Sequence, residues 1–156
     1  MSNIAQRIPS ITDVLKKISE DKALTLFNNI AVSNGDKYIP SKEMNLTPKQ
    51  YYSRISGLTD AGLIKRHKGK YFLTLLGQVV YESQMIIGKT LAYYWKLKAI
   101  ESIETSTASG ILNEEITQLI NALIDNHQIK DILMKVPSNS SNERDLKKQA
   151  STALIE

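Results

Sequence analysis

The sequence has no cysteine and only two histidines among its 156 residues. The absence of cysteine excludes a disulfide framework, a thiolate nucleophile and every Cys-based zinc or iron–sulfur site. The sequence also has no Gly-rich phosphate loop and no serine in a nucleophile-elbow motif, so its motifs do not supply a set of acid, base and nucleophile. We therefore expect a protein that is not an enzyme and that uses neither a metal nor a cofactor.

Long apolar runs are also missing from the sequence. No uncharged apolar segment approaches the roughly 18 residues of a membrane span, and the polar start Met1, Ser2, Asn3 does not resemble a secretory signal peptide. The 42% of apolar residues is nevertheless enough to bury the core of one or two small domains. The sequence thus predicts a soluble, cytoplasmic protein without a membrane partner.

Positive charge is concentrated in one part of the chain. The whole sequence carries a net charge of +4, with 20 basic and 16 acidic residues. Between Lys37 and Lys70 there are eight basic residues and two acidic ones, whereas the rest of the chain has 12 basic and 14 acidic residues. All of the excess positive charge lies in this block, which favours a polyanion-binding site over a solvated face alone.

Two helices are predicted in the N-terminal part of the chain. The first opens at Ser10, which has a capping-box spacing to Asp13, and ends between Lys17 and Ser19. The second begins after Ser19, and the pair Asn34 and Gly35 ends it because both residues tolerate a left-handed backbone.

The clearest helix start in the sequence is at Thr47. Thr47 is the predicted N-cap, Pro48 occupies the first helical position, and Gln50 completes a capping box. Gly62 is placed for a left-handed exit. These signals predict a helix from Pro48 to Ala61.

Short elements are predicted on both sides of this helix. Before it, Lys37 to Ile39 is a short extended segment, and Ser41 caps a brief helix through Met44. After it, Leu63 to His67 and Lys70 to Thr74 are two strands that meet at the turn Lys68-Gly69. These two strands form a basic hairpin, and the C-terminal part of the chain begins directly after its second strand.

The C-terminal part is predicted to be helical. Thr74 can cap a long helix from Leu75 to about Thr105, and a Ser/Thr/Gly-containing stretch at 106–110 breaks it. An amphipathic helix follows from Asn113 to Asp125, and a shorter helical piece reaches about Lys135.

This order of elements is the layout of a winged helix-turn-helix. The segment Leu46 to Ile64 resembles the recognition helix and exit of MarR/ArsR-type transcription regulators. Tyr71 to Gly77, with the pattern Tyr-x-Leu-Thr-x-x-Gly, resembles their second wing strand and the helix start that follows. The resemblance covers roughly Ser19 to Tyr81 and implies a winged-helix fold and DNA binding.

We therefore expect a mainly α protein with a small β-hairpin, organised in three parts. Residues 1–76 form a winged helix-turn-helix DNA-binding domain, and 77–136 form long C-terminal dimerisation helices. The segment Pro137 to Glu156 is rich in serine, asparagine and charge and is predicted to be largely disordered.

The predicted recognition helix has two faces. Tyr51, Ile55 and Leu58 recur at helical spacing and face the core. The opposite face fits the major groove, where lysine, serine and tyrosine side chains can contact bases. The candidates for these contacts are Lys49, Tyr52, Ser53 and Ser56.

Other residues are expected to contact the DNA backbone. Thr47 and the first-turn amides can hold a phosphate, whereas Arg54 has two open roles, a phosphate contact or an internal salt bridge. The basic hairpin lies on flanking phosphates or enters the minor groove; alternatively, its charges only protect a strand edge from aggregation. The full set of predicted DNA-binding residues is Ser41, Lys42, Thr47, Lys49, Gln50, Tyr52, Ser53, Arg54, Ser56, Lys65, Arg66, His67, Lys68 and Lys70.

The C-terminal helices have more apolar positions than one face of a small domain can bury. Pairing with a second copy would cover them and set two recognition helices about 34 Å apart, which predicts a pseudo-palindromic site. The predicted interface residues are Val80, Ile87, Leu91, Tyr94, Trp95, Ile116, Leu119, Ile120 and Leu123.

The sequence therefore predicts a homodimeric transcriptional regulator that binds double-stranded DNA sequence-specifically. The alternative is a winged-helix adaptor that binds a protein partner or RNA without sequence-specific DNA readout, since a fold does not determine function. An unidentified small-molecule effector is a further candidate partner, with Tyr81, Tyr93 and Trp95 as its lining.

Overall fold

The computed structural model describes residues 7–35, 41–106 and 113–135. This part of the chain is mainly helical, with a small two-stranded antiparallel sheet. The predictions for Lys37–Ile39 and Pro137–Glu156, and most of the predicted break at 106–110, lie outside the described residues. The elements are α1 (Ile11–Ile18), α2 (Asp21–Ser33), α3 (Pro48–Asp60), β1 (Ile64–His67), β2 (Lys70–Leu73), α4 (Leu75–Ala92), α5 (Tyr94–Ser106), α6 (Asn113–Leu123) and α7 (His127–Met134).

Contacts within the chain group the described residues into two units. The first unit extends through Tyr81 and the second begins at Glu82, inside α4. The first unit includes the start of α4 because Val80 and Tyr81 pack against its core. The Tyr81 ring meets the buried Phe27 ring edge to face, with 6.4 Å between the centroids. Among the described helices, none combines the length and the apolar character needed to cross a membrane.

Local capping signals place the first two helices as predicted. The Asp13 N–H donates to Ser10 Oγ (3.1 Å), and the Ser10 N–H donates to the Asp13 carboxylate (2.9 Å), which completes the capping box of α1. The hydrogen bond from the Ser10 backbone holds the pKa of Asp13 below its ordinary value. Helix α2 ends at Asn34, which adopts a left-handed backbone with φ 43°.

The segment before α3 differs from its predicted structure. Residues 41–45 form hydrogen-bonded turns in place of the brief helix expected from Ser41 to Met44. The Ser41 carbonyl accepts from the N–H groups of Met44 (3.3 Å) and Leu46 (3.0 Å). Asn45 takes a left-handed backbone with φ 51°. This reversal redirects the chain before a helix can extend, and Leu46 enters the core.

Helix α3 has the predicted cap at each end. The Gln50 N–H donates to Thr47 Oγ1 (3.2 Å), and the Thr47 N–H donates to Gln50 Oε1 (3.0 Å). At the other end Gly62 has φ +72°, and the Leu63 N–H donates to the Leu58 carbonyl (3.0 Å), as in a Schellman motif. The two ends fix the length of the helix and the direction in which the chain leaves it.

The hairpin after α3 has the predicted two-residue turn. Ile64 is paired with Leu73, and Arg66 is paired with Tyr71. Lys68 and Gly69 both have positive φ (48° and 76°), as a type I′ turn requires. Ile64 is buried, whereas the turn end of the hairpin is exposed. The core beneath α1, α2, α3 and β1 consists of Val14, Leu26, Phe27, Ile30, Leu46, Tyr51, Ile55, Leu58, Ala61, Leu63 and Ile64.

The start of α4 is fastened to the exit of α3. The Thr74 N–H donates to the Leu63 carbonyl (3.0 Å), and its hydroxyl donates to the Gly62 carbonyl (2.5 Å). The same hydroxyl accepts from the Gly77 N–H (2.9 Å) and so caps the helix. Gly77 lies against the Leu63 carbonyl oxygen so closely that a Cβ would clash with it. This contact explains why glycine stands at this position.

The prediction of one long helix from Leu75 to Thr105 is wrong, because α4 ends at Ala92 and α5 begins at Tyr94, with Tyr93 between them. The Tyr93 N–H donates to the Thr90 carbonyl (2.9 Å) and forms a tighter turn than an α-helix. The Thr90 hydroxyl donates back to the Ile86 carbonyl (2.8 Å), a bond that bends helices. Tyr93 also packs against the core of the second unit, which favours the break.

The second unit has a small core of its own. It buries Ile100, Ile120, Ile124 and Ile129 between α5, α6 and α7. The Lys96 ammonium donates to the Leu123 carbonyl (2.9 Å) at the end of α6, where a positive charge is favourable to the helix dipole.

Candidate nucleic-acid interface

Helix α3 presents one buried and one exposed face. Tyr51, Ile55 and Leu58 are buried in the core of the first unit. The opposite face exposes Lys49, Tyr52, Ser53 and Ser56. This division follows the predicted spacing, because the caps set the rotation of the helix and the core takes up the apolar stripe. The four polar or aromatic side chains are therefore accessible to a partner.

The N-terminus of α3 offers fewer backbone donors than the sequence suggests. Pro48 has no N–H, and the N–H groups of Thr47 and Gln50 are bonded within the capping box. A phosphate at this helix end would therefore depend on the Lys49 N–H and on side chains. The Thr47 hydroxyl proton and the Gln50 amide NH₂ are donors that the capping box does not use.

Arg54 forms an internal salt bridge, one of the two roles predicted for it. Its Nε and Nη2 donate to the two carboxylate oxygens of Glu20 (2.7 and 2.5 Å), and Nη1 donates to the Gln50 carbonyl (3.1 Å). The bidentate bonds lower the pKa of Glu20 and raise that of Arg54. All three guanidinium nitrogens are engaged, so Arg54 joins α3 to the start of α2, and we leave it out of the proposed DNA contacts.

The turn at 41–45 lies beside a lysine that the sequence does not single out. Lys22, in the first turn of α2, donates its ammonium to the Asn45 carbonyl (3.0 Å). Ser41 is half-buried and Lys42 is exposed. No local pattern predicts this position for Lys22, because its partner is more than 20 residues further along the chain.

The hairpin divides its basic residues between two faces. Lys65 and His67 share one face, since they alternate along β1, and Arg66 points to the other. The Arg66 guanidinium lies 6.0 Å from the centre of the Tyr71 ring, a cation–π contact. His67 meets the Phe72 ring edge to face at 6.4 Å.

A groove of about 460 Å³ lies beside the hairpin in the first unit. It brings Lys65, Arg66 and His67 together with Asn34 and Gln78, two polar residues that are not among the predicted DNA-binding residues. Asn34 ends α2 and Gln78 is on α4, so neither shows a signal in the sequence around the hairpin. The groove extends the polar surface from the hairpin to both helices.

Among the residues that the structure describes, no carboxylate forms an ion pair with the lysines of this region. In residues 7–35, 41–106 and 113–135 the ion pairs join Arg7 to Asp13, Arg54 to Glu20 and Lys98 to Glu101, and the His127 imidazole contacts the Asp131 carboxylate. None of them includes the exposed basic residues of the 41–70 region. These are Lys42, Lys49, Lys65, Arg66, Lys68 and Lys70, which we name the basic set.

The predicted interface residues on the C-terminal helices differ in exposure. Ile87, Leu91, Tyr94 and Trp95 are exposed, with Trp95 at 80%, and the Tyr94 and Trp95 rings are edge to face at 5.1 Å. The remaining five pack within their own chain. Val80 packs against the core of the first unit, and Ile116, Leu119, Ile120 and Leu123 belong to the core of the second.

Metal-binding clusters are missing from the part of the chain that the structure describes: it has no group of three or more His, Cys, Asp or Glu residues that could hold an ion. The His127 imidazole pairs with the Asp131 carboxylate at 2.9 Å on an exposed face of α7. A single pair of this kind matches an ordinary helix-stabilising contact at i and i+4.

Comparisons of the chain with protein-family models, with curated proteins and with solved structures gave no match. The function is therefore inferred from the residues and their geometry.

Proposed function

We propose that this protein is a winged helix-turn-helix regulator that binds double-stranded DNA as a homodimer. In this proposal α3 enters the major groove and the β1–β2 hairpin is the wing. The observation that carries the proposal is the combination of an exposed α3 face with a hairpin whose exposed lysines form no ion pair with a carboxylate of the described residues. The resemblance of Leu46–Ile64 and Tyr71–Gly77 to MarR/ArsR-type regulators supports it.

The side chains divide into two chemical classes. Lys49, Tyr52, Ser53 and Ser56 contact base edges, because they stand on the exposed face of the groove helix. Lys42, Lys65, Lys68 and Lys70 contact phosphates and release counterions, which supplies affinity without reading sequence. Lys68 is in the hairpin turn, at the exposed end of the hairpin.

The exposed apolar side chains of α4 and α5 support the dimer. Ile87 and Leu91 are one helical turn apart on α4, and Tyr94 and Trp95 begin α5. A patch of this kind is unusual on a monomer and is buried when two copies pair. A two-fold axis would place two recognition helices on half-sites about 34 Å apart.

The proposal is tested by fluorescence-anisotropy titration of a random duplex at several salt concentrations. Affinity should fall linearly on a log–log plot, because each neutralised phosphate releases a counterion. Lys68→Ala should weaken binding to all duplexes and reduce the slope by about one, whereas Ser53→Ala should mainly reduce discrimination between a selected site and random DNA. Lys89→Ala removes an exposed lysine of α4 and should leave both quantities unchanged.

Two results would overturn the proposal. The first is the absence of binding at low salt, which would favour an adaptor that binds a protein or RNA and would leave the hairpin charges with a solubilising role. The second is an equal effect of Lys68→Ala and Lys89→Ala on the salt slope.

A further inference from the structure

One side chain on the exposed face of α3 differs in chemistry from its neighbours. Tyr52 is 59% exposed, whereas the adjacent Tyr51 is 3% exposed. Lys49, Ser53 and Ser56 around it are hydrogen-bonding groups of the same face. Tyr52 therefore gives this polar face its largest apolar surface.

The Tyr52 ring is held in place. It meets the buried Tyr51 ring edge to face, with 5.4 Å between the centroids and an angle of 85° between the planes. Tyr51 is itself fixed within the core of the first unit. An aromatic ring supported in this way loses little conformational entropy when it meets a partner.

The major groove presents one apolar group that such a ring can recognise. Guanine, cytosine and adenine display hydrogen-bond donors and acceptors, while thymine adds a C5-methyl group to its acceptor. Burial of one methyl group against an aromatic ring corresponds to about a fourfold change in affinity. The apolar ring of Tyr52 is thus complementary to thymine and to none of the other three bases.

We propose that the Tyr52 ring contacts the C5-methyl group of a thymine and makes thymine the preferred base at one position of each half-site. This inference rests on the proposed DNA binding and adds to it a base identity. The phenol hydroxyl has no part in the contact, so phenylalanine can replace tyrosine here. The Tyr51–Tyr52 pair acts as a unit in which the buried ring positions the reading ring.

The experiment compares thymine with deoxyuridine, which lacks the methyl group and keeps the same hydrogen bonds. A preferred duplex is first selected from a random library with the full chain, and each thymine is then replaced in turn. In each half-site, the replacement of one particular thymine should by itself weaken binding of the unaltered protein about fourfold. The same replacement should not change duplex binding by Tyr52→Ala. It should still weaken duplex binding by Tyr52→Phe and by Ser53→Ala.

The outcomes separate the two proposals. If no duplex is bound, the proposed function fails and the inference with it. Three results would overturn the inference alone while DNA is still bound. They are that no thymine replacement weakens binding, that the weakening persists in Tyr52→Ala, or that the selected site contains no thymine. Because Tyr52 is mostly exposed, Tyr52→Ala is expected to fold, and its circular dichroism spectrum is the control.

Discussion

The two units of this protein bury their apolar residues to different degrees. The first unit encloses a core to which α1, α2, α3 and β1 all contribute, including the fully buried Leu26 and Phe27. The second unit buries four isoleucines, while Ile87 and Leu91 stay 62% and 66% exposed. The first unit therefore has the larger buried core, and Ile87 and Leu91 are apolar surface that the proposed dimer would cover.

The exposed surfaces of the units differ as well. Exposed aliphatic side chains occur in both units, as at Leu75 (80%) in the first and Leu91 (66%) in the second. The first unit also exposes the basic set around α3 and the hairpin, and the second also exposes a Tyr–Trp pair. Charged surface without counter-charges is suited to a polyanion, and apolar surface is suited to another protein chain. Under the proposed function, the first unit would bind DNA and the second would form the dimer.

The largest expected effect is that of a methyl group added to the first unit at Gly77. Gly77→Ala would force a Cβ against the Leu63 carbonyl, which is backbone and has no room to give, so unfolding should become easier by about 3 kcal/mol. Gly88→Ala, on the same helix but with nothing within 4 Å of the added Cβ, should instead stabilise by about 0.5 to 1 kcal/mol. Urea unfolding followed by circular dichroism measures both. Similar midpoints for the two variants would show that α4 is not fastened to α3 as described.

The second expected effect concerns the exposed apolar surface of the second unit. Replacing Ile87 and Leu91 together with Glu would place two charges in the proposed dimer interface, and light scattering should then give the monomer mass. Lys89→Glu adds a negative charge to the opposite side of the same helix and should leave the dimer mass unchanged. A dimer that survives the double substitution would move the interface elsewhere.

The smallest expected effect compares the ion pairs of the two units. The Arg54–Glu20 pair depresses the pKa of Glu20 below its ordinary 4.5. Its stabilisation is therefore complete above that pH and is lost as the pH falls through the lowered value. Glu20→Gln should cost at most about 1 kcal/mol at pH 7, because both side chains are partly exposed, and the difference should vanish in acid.

The matched control for this pair is Glu101→Gln in the second unit. Glu101 pairs with Lys98 at 2.7 Å, but both side chains are more than half exposed, so the unfolding midpoint should not change. Thermal unfolding at pH 7 and pH 3 measures all three proteins. A pH-independent loss in Glu20→Gln would contradict the assigned pKa shift.

The local features of the fold could be predicted from sequence because each depends on residues a few positions apart. The capping boxes at Ser10 and Thr47, the left-handed Asn34 and the turn at Lys68-Gly69 are all of this kind. Short-range hydrogen bonds and allowed backbone angles decide them, so the same local pattern gives the same local structure.

The predictions that needed correction depend on distant partners. The expected helix at 41–44 is replaced by turns as Leu46 enters the core, and the long helix breaks at Tyr93, which packs into the second unit. The predicted interface depends on distant partners too, since an apolar stripe does not show whether its own chain or another covers it. Ile120 is an example, because its own unit buries it.

The sequence by itself determined where α1 and α3 begin, where the hairpin turns, which face of α3 is buried and where the positive charge is concentrated. Tertiary structure alone decided that Arg54 pairs with Glu20, that Lys22 reaches the turn at Asn45 and that Thr74 fastens α4 to the end of α3. The first group follows from bond geometry and side-chain periodicity along a short segment. The second depends on which segments pack together, and that choice is made by the burial of the whole core.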